Sequence, residues 1–467
     1  MERGWKVLAT TSIGSVMVFI DSSILNVAFR DLVNDYGVSK QRQLTWVFSA
    51  YSIAFAAALL TAGRIADRFG RKRAFLGGVI GFATASVLCA VSTTVALLIV
   101  ARVLQAFAGA FIVPSALALV LPEFPPEKRS TAIGISGAVG GLSAVFGPVV
   151  GGVLVDQFGW RSVFYINVPL SALAFTVGWR ILREAKDETA TTIPDPLGGI
   201  LAILGFGLLT ATIVEGDHWG WGSLRTLGAI AASFAFLAVF VARSRVHPVP
   251  VVDLTLFRLR FFTAANLSAF LFSAGFFAMF FTNVGFLQNV FGYGPTRSGF
   301  ASAPGPLMAA IVAAPAGTAA AQRGHKLVIS LGLGTFALGV GLTRAFVGIG
   351  SSYWTTFLPA FVLTGFGVGL TISTLGSASN AFLPPHRFGM GSAVNSTGRQ
   401  IGAGMGIAVV SALRLAAPKS NPLVGFQRSW LFAIIMSLLA LVAMITLFRK
   451  PTAAEIDASR VPSPVSV

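Results

Sequence analysis

One carboxylate stands where carboxylates are rare. Asp21 interrupts the run VFIDSSILNVAF (residues 18–29), with Val18, Phe19 and Ile20 before it and Ile24 and Leu25 after. An ionised Asp at the centre of a bilayer helix costs about 2.5–3.5 kcal/mol on insertion scales. Such a site favours the neutral acid, so the group can take a proton from one side and yield it on the other. The plainer alternative is an Asp satisfied by the hydroxyls of Ser22 and Ser23. Two cations share comparable surroundings. Arg102 lies in ARVLQAFAGAFIVPSALALV (101–120) and Arg399 in GSAVNSTGRQIGAGMG (391–406). Each must be paired, hydrated or bonded to carbonyls. Arg102 can also snorkel towards an interface, and Arg399 is open to a substrate, a carboxylate or backbone carbonyls.

Charge is concentrated elsewhere. Residues 63–73, GRIADRFGRKR, hold five cations and one carboxylate, although Asp, Glu, Lys and Arg make up only 11% of the chain. Gly63 and Gly70 permit a tight turn. Asp67 within a basic run is suited to the positive N-terminus of a helix, and Arg68 and Arg71 to pairing with a facing segment. A solvated basic loop is the plainer alternative. Residues 134–152 are dense in glycine. Gly137/Gly141 and Gly147/Gly151 are GxxxG pairs that allow close helix contact, and Pro148 removes a backbone donor. Gly147, Pro148, Gly151 and Gly152 form the tightest cluster. Polar or aromatic residues in apolar runs, among them Asn26, Trp46, Tyr51, Gln105, Asn167 and Asn395, are candidates for a cavity. Asn283, Gln288 and the phenylalanines Phe276, Phe277, Phe280 and Phe281 extend that set towards apolar or aromatic ligands. The one cysteine, Cys89, reads as a small buried apolar residue.

These residues need elements that hold them in hydrocarbon. Hydrophobic residues are 55% of 467, and mean hydropathy is +0.79. Residues 74–101, 130–155, 261–296, 298–322 and 429–448 carry no charge. A helix crosses a bilayer with about 20 apolar residues. The short alternating segments of a barrel are absent. The fold class is therefore an all-α polytopic membrane protein, with fourteen expected spans. The first span is read as a retained helix, not a cleaved signal. The net charge of +17 follows position and does not point to nucleic acid. Roughly twice as many Lys and Arg fall on the side that holds both termini as on the other, which makes both termini cytoplasmic. The chain also repeats. Gly63, Ala66, Gly70 and Lys72 match Gly317, Ala320, Gly324 and Lys326, and Arg129 and Gly140 match Arg387 and Gly398. The expected organisation is a six-helix bundle over 1–183, a linker with two inserted spans over 184–246, a second six-helix bundle over 247–450, and a cytoplasmic tail over 451–467. Parallel six-span repeats suit a transporter that rocks about a central site.

The chain resembles the major facilitator superfamily, in its branch of 14-helix drug:proton antiporters. The resemblance rests on GRIADRFGRKR (motif A), VFIDSSILNVAF (the first-helix motif) and ARVLQAFAGAFIVPSALALV (motif B). It also rests on GAVGGLSAVFGPVVGGVL (137–154, motif C), WRSVFYINVPL (160–170) and GSAVNSTGRQIGAGMG. It implies a proton-coupled exporter of small hydrophobic compounds, such as drugs or antibiotics, by alternating access. Asp21 would carry the proton. Arg102 would lie against the first helix and influence that site, with Gln105 as its companion. Asp67 would face the start of span 13, near Phe388–Gly389, and help hold the cytoplasmic side shut. The glycine cluster of span 5 would mark an antiporter. Ala106 stands where the branch usually has glycine, and Ala321 stands where the first copy has Asp67. The second loop is therefore the weaker gate. The resemblance implies a monomer in the cell (inner or plasma) membrane, with protons, lipid and a small substrate as partners. It needs no cofactor beyond the proton gradient.

Other chemistries lack their residues. No GxxxxGK[ST] or HExxH is present, and all four histidines (218, 247, 325, 386) fall in expected loops. GFGVG (365–369) lies inside an apolar span and reads as packing. An enzyme is not expected. An uptake transporter of a metabolite on the same fold is the remaining alternative.

Overall fold

The computed structural model describes residues 3–186, 195–348, 350–383, 387–418, 420–421 and 423–452; for Leu60, most of 126–145, and 388–389 it describes backbone only. The part of the linker at 187–194 and nearly all of the expected tail lie outside that set. So do the side-chain surroundings of Gly137 and Gly141.

Fourteen long helices follow one another in the described residues. They are α1 (Arg3–Tyr36), α2 (Trp46–Phe69), α3 (Arg71–Ala90), α4 (Val95–Val120), α5 (Pro126–Phe158), α6 (Asn167–Ile181) and α7 (Pro196–Trp219). The second seven are α8 (Leu224–Val246), α9 (Arg260–Asn289), α10 (Pro304–Arg323), α11 (His325–Phe346), α12 (Leu358–Asn380), α13 (Phe388–Leu415) and α14 (Leu423–Leu447). Eleven stretches are long and apolar enough to cross a membrane, or twelve if the stretch through α2, bent by 47°, counts as one span. The helices outside that count are α5 and α13. In α13 the sequence NSTGRQ dilutes the hydropathy; in α5 most side chains before Phe146 lie outside the described set, and the described stretch Phe146–Phe158 is a shorter apolar helix. No strand occurs among the described residues.

The patterning is inside out. On α4, Arg102 is 1% exposed while Leu104, two residues on, is 49% exposed. Leu331, Leu338, Leu439 and Val442 also face outward. A lipid-facing surface needs apolar side chains, and backbone groups within it must bond inside their own helix. Helix ends use local sequence. Thr94 caps α4 by accepting from the Leu97 N–H at 3.2 Å, and Ser223 caps α8 by accepting from the Thr226 N–H at 3.2 Å. Pro126 and Pro196 sit in the first turns of α5 and α7, where no amide hydrogen is required.

The chain divides into two compact units, residues 1–194 with 284–306 and residues 195–283 with 307–467. In the first, Phe75, Phe82 and Ile112 are fully buried in the core, joined by Met17 and Tyr51. In the second, α9 meets α14 through Ser268 Oγ, which donates to Ala440 O at 3.0 Å, and Trp430 Nε1, which donates to Asn283 Oδ1 at 2.8 Å. The α7–α8 hairpin is joined by Ser233 Oγ donating to Gly205 O at 2.9 Å. At the hairpin's base, Arg243 Nε donates to Asp195 Oδ2 at 2.5 Å. Burial pushes the Asp195 carboxyl up, but the Arg243 bond and charge with the Gly198 amide outweigh it, and it lies below the ordinary 3.8.

Candidate functional site

Five elements converge on Asp21. The side chain is 1% exposed on α1, and Arg102, also 1% exposed, reaches it from α4. Arg102 Nη1 donates to Asp21 Oδ2 and to Gln105 Oε1, each at 2.5 Å. Its Nε donates to Val47 O on α2 at 3.3 Å. The guanidinium carbon lies 4.0 Å from the Tyr51 ring centroid. Gln105 sits three residues after Arg102, one turn along the same face. Its Nε2 donates to Asp21 Oδ1 at 2.9 Å and to Ser86 Oγ on α3 at 2.7 Å. From the start of α6, Asn167 Nδ2 donates to the same Asp21 oxygen at 3.0 Å and to Ser86 Oγ at 3.2 Å. Ser86 Oγ itself donates a hydrogen bond to Phe82 O at 2.7 Å.

This arrangement solves the desolvation problem. An isolated buried charge is prohibitive, whereas a paired and fully hydrogen-bonded one is tolerated. Here the carboxylate accepts three bonds, and the guanidinium meets a carboxylate, an amide, a carbonyl and an aromatic face. Two atoms at the rim are left over: Tyr51 Oη and Asn167 Oδ1 are buried with no hydrogen-bond partner among the described residues. Cys89 Sγ approaches Gln105 Oε1 at 3.9 Å, a weak contact for a small buried thiol. Chemically, the cluster is a proton acceptor locked to a fixed cation. A proton placed on Asp21 removes the charge that Arg102 needs.

The other expected residues are distributed. Asn26 is buried, but its Nδ2 donates locally to Ser23 O at 3.1 Å. Trp46 begins α2, more than a turn from Tyr51. Asn395 and Arg399 belong to the second unit, where Asn395 Nδ2 donates to Asn266 Oδ1 at 3.3 Å. At the α2–α3 turn, Arg71 Nε donates to Asp67 Oδ1 at 2.8 Å and Arg71 Nη1 to Ala118 O at 3.3 Å. Arg71 is thus held within its own unit. Arg68 lies over the Phe69 ring at 5.5 Å. Gly70 adopts φ 117°, a conformation open to glycine. A Cβ on Gly63 would make only ordinary contact with Pro114, at 3.7 Å. The side chains at 388–389, the expected partners of Asp67, lie outside the described set.

The glycines of α5 mark seams. A Cβ on Gly147 would overlap Ser23 Oγ, and one on Gly151 would overlap Ile24 Cγ1 and lie 3.1 Å from Ile24 O. Both approach α1 within a turn of Asp21. Gly152 faces backbone, with Pro295 O at 2.5 Å from a notional Cβ, and Pro148 O lies against Gly299 in the helix Pro295–Ser302.

Two participants carried no distinctive signal. Ser86 is one serine in an apolar helix. Glu184 lies 111 residues beyond Arg73, yet its carboxylate accepts from the Lys72 N–H at 3.0 Å and the Arg73 N–H at 3.3 Å, capping the N-terminus of α3.

The sequence profile of the Major Facilitator Superfamily matches residues 11–305 and 265–466. The tetracenomycin C resistance and export protein of Streptomyces glaucescens is 36% identical over 422 residues, covering 88% of this chain and 76% of that protein. Multidrug resistance protein Stp of Mycobacterium tuberculosis is 33% identical over 410 residues, covering 88% and 75%. A probable actinorhodin transporter of Streptomyces coelicolor is 31% identical over 420 residues, covering 88% and 72%. Among solved structures, a D-xylose–proton symporter superposes with a TM-score of 0.69 at 13% identity, covering 95% of this chain and 98% of that one, a likeness of fold alone. The chain therefore belongs to the Major Facilitator Superfamily, alongside relatives named for antibiotic and multidrug resistance and export.

Proposed function

We propose that this protein is a proton-driven antiporter that exports small hydrophobic compounds of the drug or antibiotic type. It works as a monomer in the cell membrane, crossed fourteen times, with both termini cytoplasmic. The bundles over 1–183 and 247–450 alternate about a central cavity, with 184–246 as an insertion between them and 451–467 as a cytoplasmic tail. Asp21 carries the proton and Arg102 couples it to the change of conformation. Gly63, Asp67, Arg68, Gly70 and Arg71 close the cytoplasmic mouth. Gly147, Pro148, Gly151 and Gly152 give α5 the close seams on which it pivots. Asn26, Trp46, Tyr51, Gln105, Asn395 and Arg399 line the path of the substrate. The relatives named for export of tetracenomycin C and for multidrug resistance support the substrate class and the direction.

The buried ion pair between Asp21 and Arg102 carries the proposal. Removing one partner of such a pair costs about 3–5 kcal/mol. Protonation of Asp21 does this reversibly: the bond to Arg102 is lost and the cation must find water or another acceptor. A membrane potential supplies an energy of the same order, at about 2.3 kcal/mol per charge per 100 mV. The pair is therefore matched in size to the gradient that would turn it over. Loading of Asp21 from the outside and release to the inside would alternate with substrate occupancy.

The test uses Asp21→Asn in proteoliposomes. The variant keeps the hydrogen bonds of a neutral acid but binds no proton. It is expected to fold and to lose substrate-induced proton release entirely. Proton release at the wild-type level from the variant removes Asp21 from the mechanism.

A further inference from the structure

Arg399 is a cation that its own unit leaves without a counterion. It lies 11 residues into α13, roughly 17 Å along the helix at 1.5 Å per residue, with a longer stretch beyond. Its Nε is buried with no hydrogen-bond partner. Among the described residues its one hydrogen bond is long, Nη2 to Ser396 Oγ at 3.5 Å. Among the described residues no carboxylate pairs with it. The same chain shows what a structural buried arginine looks like: Arg102 holds a carboxylate, an amide oxygen, a carbonyl and an aromatic face. Arg414, also on α13, rests on the rings of Phe426 and Phe281, at 4.5 and 5.8 Å. Arg399 has neither solution.

Its surroundings are suited to a ligand. Asn395, one turn earlier, bonds Asn266 of α9. The backbone of α9 lies against Gly402 and Gly406 of α13. Further along α9, Phe272, Phe276 and Phe280 stack in series with centroids 6.1 and 6.2 Å apart. Asp21, the carboxylate deep in α1, is already bound to Arg102.

We propose that Arg399 anchors the anionic group of the transported compound, so that the substrate class is an apolar body bearing one ionised acid: a carboxylate, a sulfonate or a phenolate. That the compound is transported rests on the exporter reading; the binding chemistry does not. A half-buried guanidinium with an unpartnered donor favours an organic anion and repels cations of the same shape. Its depth along α13 places the anchor away from the level of lipid headgroups.

The experiment is equilibrium binding to the purified full chain in detergent, with no proton gradient. The probes are 8-anilinonaphthalene-1-sulfonate and N-phenyl-1-naphthylamine, which share a skeleton and differ by the sulfonate. Wild type is expected to bind the sulfonate about 10- to 100-fold more tightly than the neutral amine, the range for a charge-assisted bond. Arg399→Gln should lose that preference and keep its affinity for the amine, while Arg399→Lys should keep part of it. Equal affinities in wild type, no binding of the sulfonate, or a preference that survives in Arg399→Gln each overturn the proposal. The wild-type comparison stands even if Arg399→Gln does not fold. A failed anion preference with intact proton release would leave the exporter reading in place, and the reverse result would separate them the other way.

Discussion

Ser86 and Asn167 carry no charge, yet they help decide how Asp21 is held. Ser86 Oγ accepts from both Gln105 and Asn167, and so aims two amides at one carboxylate oxygen. Replacing Asn167 with Leu leaves Asp21 Oδ1 with a single donor in a dry site, a loss of about 1–3 kcal/mol. The purified variant is expected to melt at lower temperature than wild type and to release protons more slowly on substrate addition, with Asn167→Ser recovering part of both. Unchanged melting and unchanged release would make Asn167 a bystander. Asp21, Arg102 and Gln105 were legible in the sequence because charge and amide in an apolar run are conspicuous. Ser86 was not, because its own bond to Phe82 O is what any helical serine or threonine makes. Thr84 makes the equivalent bond to Ile80 O at 3.0 Å and lies exposed. Asn26 shows the converse: a conspicuous amide that spends its donor on Ser23 O, one turn back.

Between helices, what matters is which atom a new methyl group meets. Gly151 and Gly152 are neighbours on α5 with different obstacles. At Gly151 the nearest atom is a side-chain carbon of Ile24; at Gly152 the nearest atoms are backbone of Pro295 and Thr296. Side chains can be shortened and backbone cannot. Gly151→Ala should cost about 1–3 kcal/mol by overpacking and impair efflux, and Gly151→Ala with Ile24→Ala should regain much of it. Gly152→Ala should impair efflux with no such single-site rescue. Efflux and melting measured on the four proteins decide this, and equal behaviour of the two alanine variants would argue that α5 does not depend on its seams. The glycine cluster was visible in the sequence, but its partners were not, since GxxxG states only that something comes close. The α2–α3 turn taught a similar lesson. Gly70 could be read as a tight turn, whereas the cap from Glu184 depends on α6 returning the chain to that end.

For the whole chain, the helical class and most of the spans followed from charge-free runs, because hydrocarbon leaves few ways to satisfy a backbone. The apolar criterion passes over α13, where the run NSTGRQ falls within the helix. Polar residues there dilute the very signal by which a span is recognised. Orientation rests on the bias of Lys and Arg, and it can be tested by chemistry from outside the cell. Val38, between α1 and α2, is 72% exposed, and Phe69, at the end of α2, is 52% exposed. A membrane-impermeant maleimide should label Val38→Cys in intact cells and Phe69→Cys only after the membrane is opened; the opposite pattern would invert the topology. That experiment needs no background removed. Cys89 is the chain's single native thiol and is 0% exposed. The protein is in effect a ready host for spin labels and fluorophores: each introduced cysteine becomes the sole reporter, and distance distributions between two of them would record the transport cycle on an otherwise unaltered sequence.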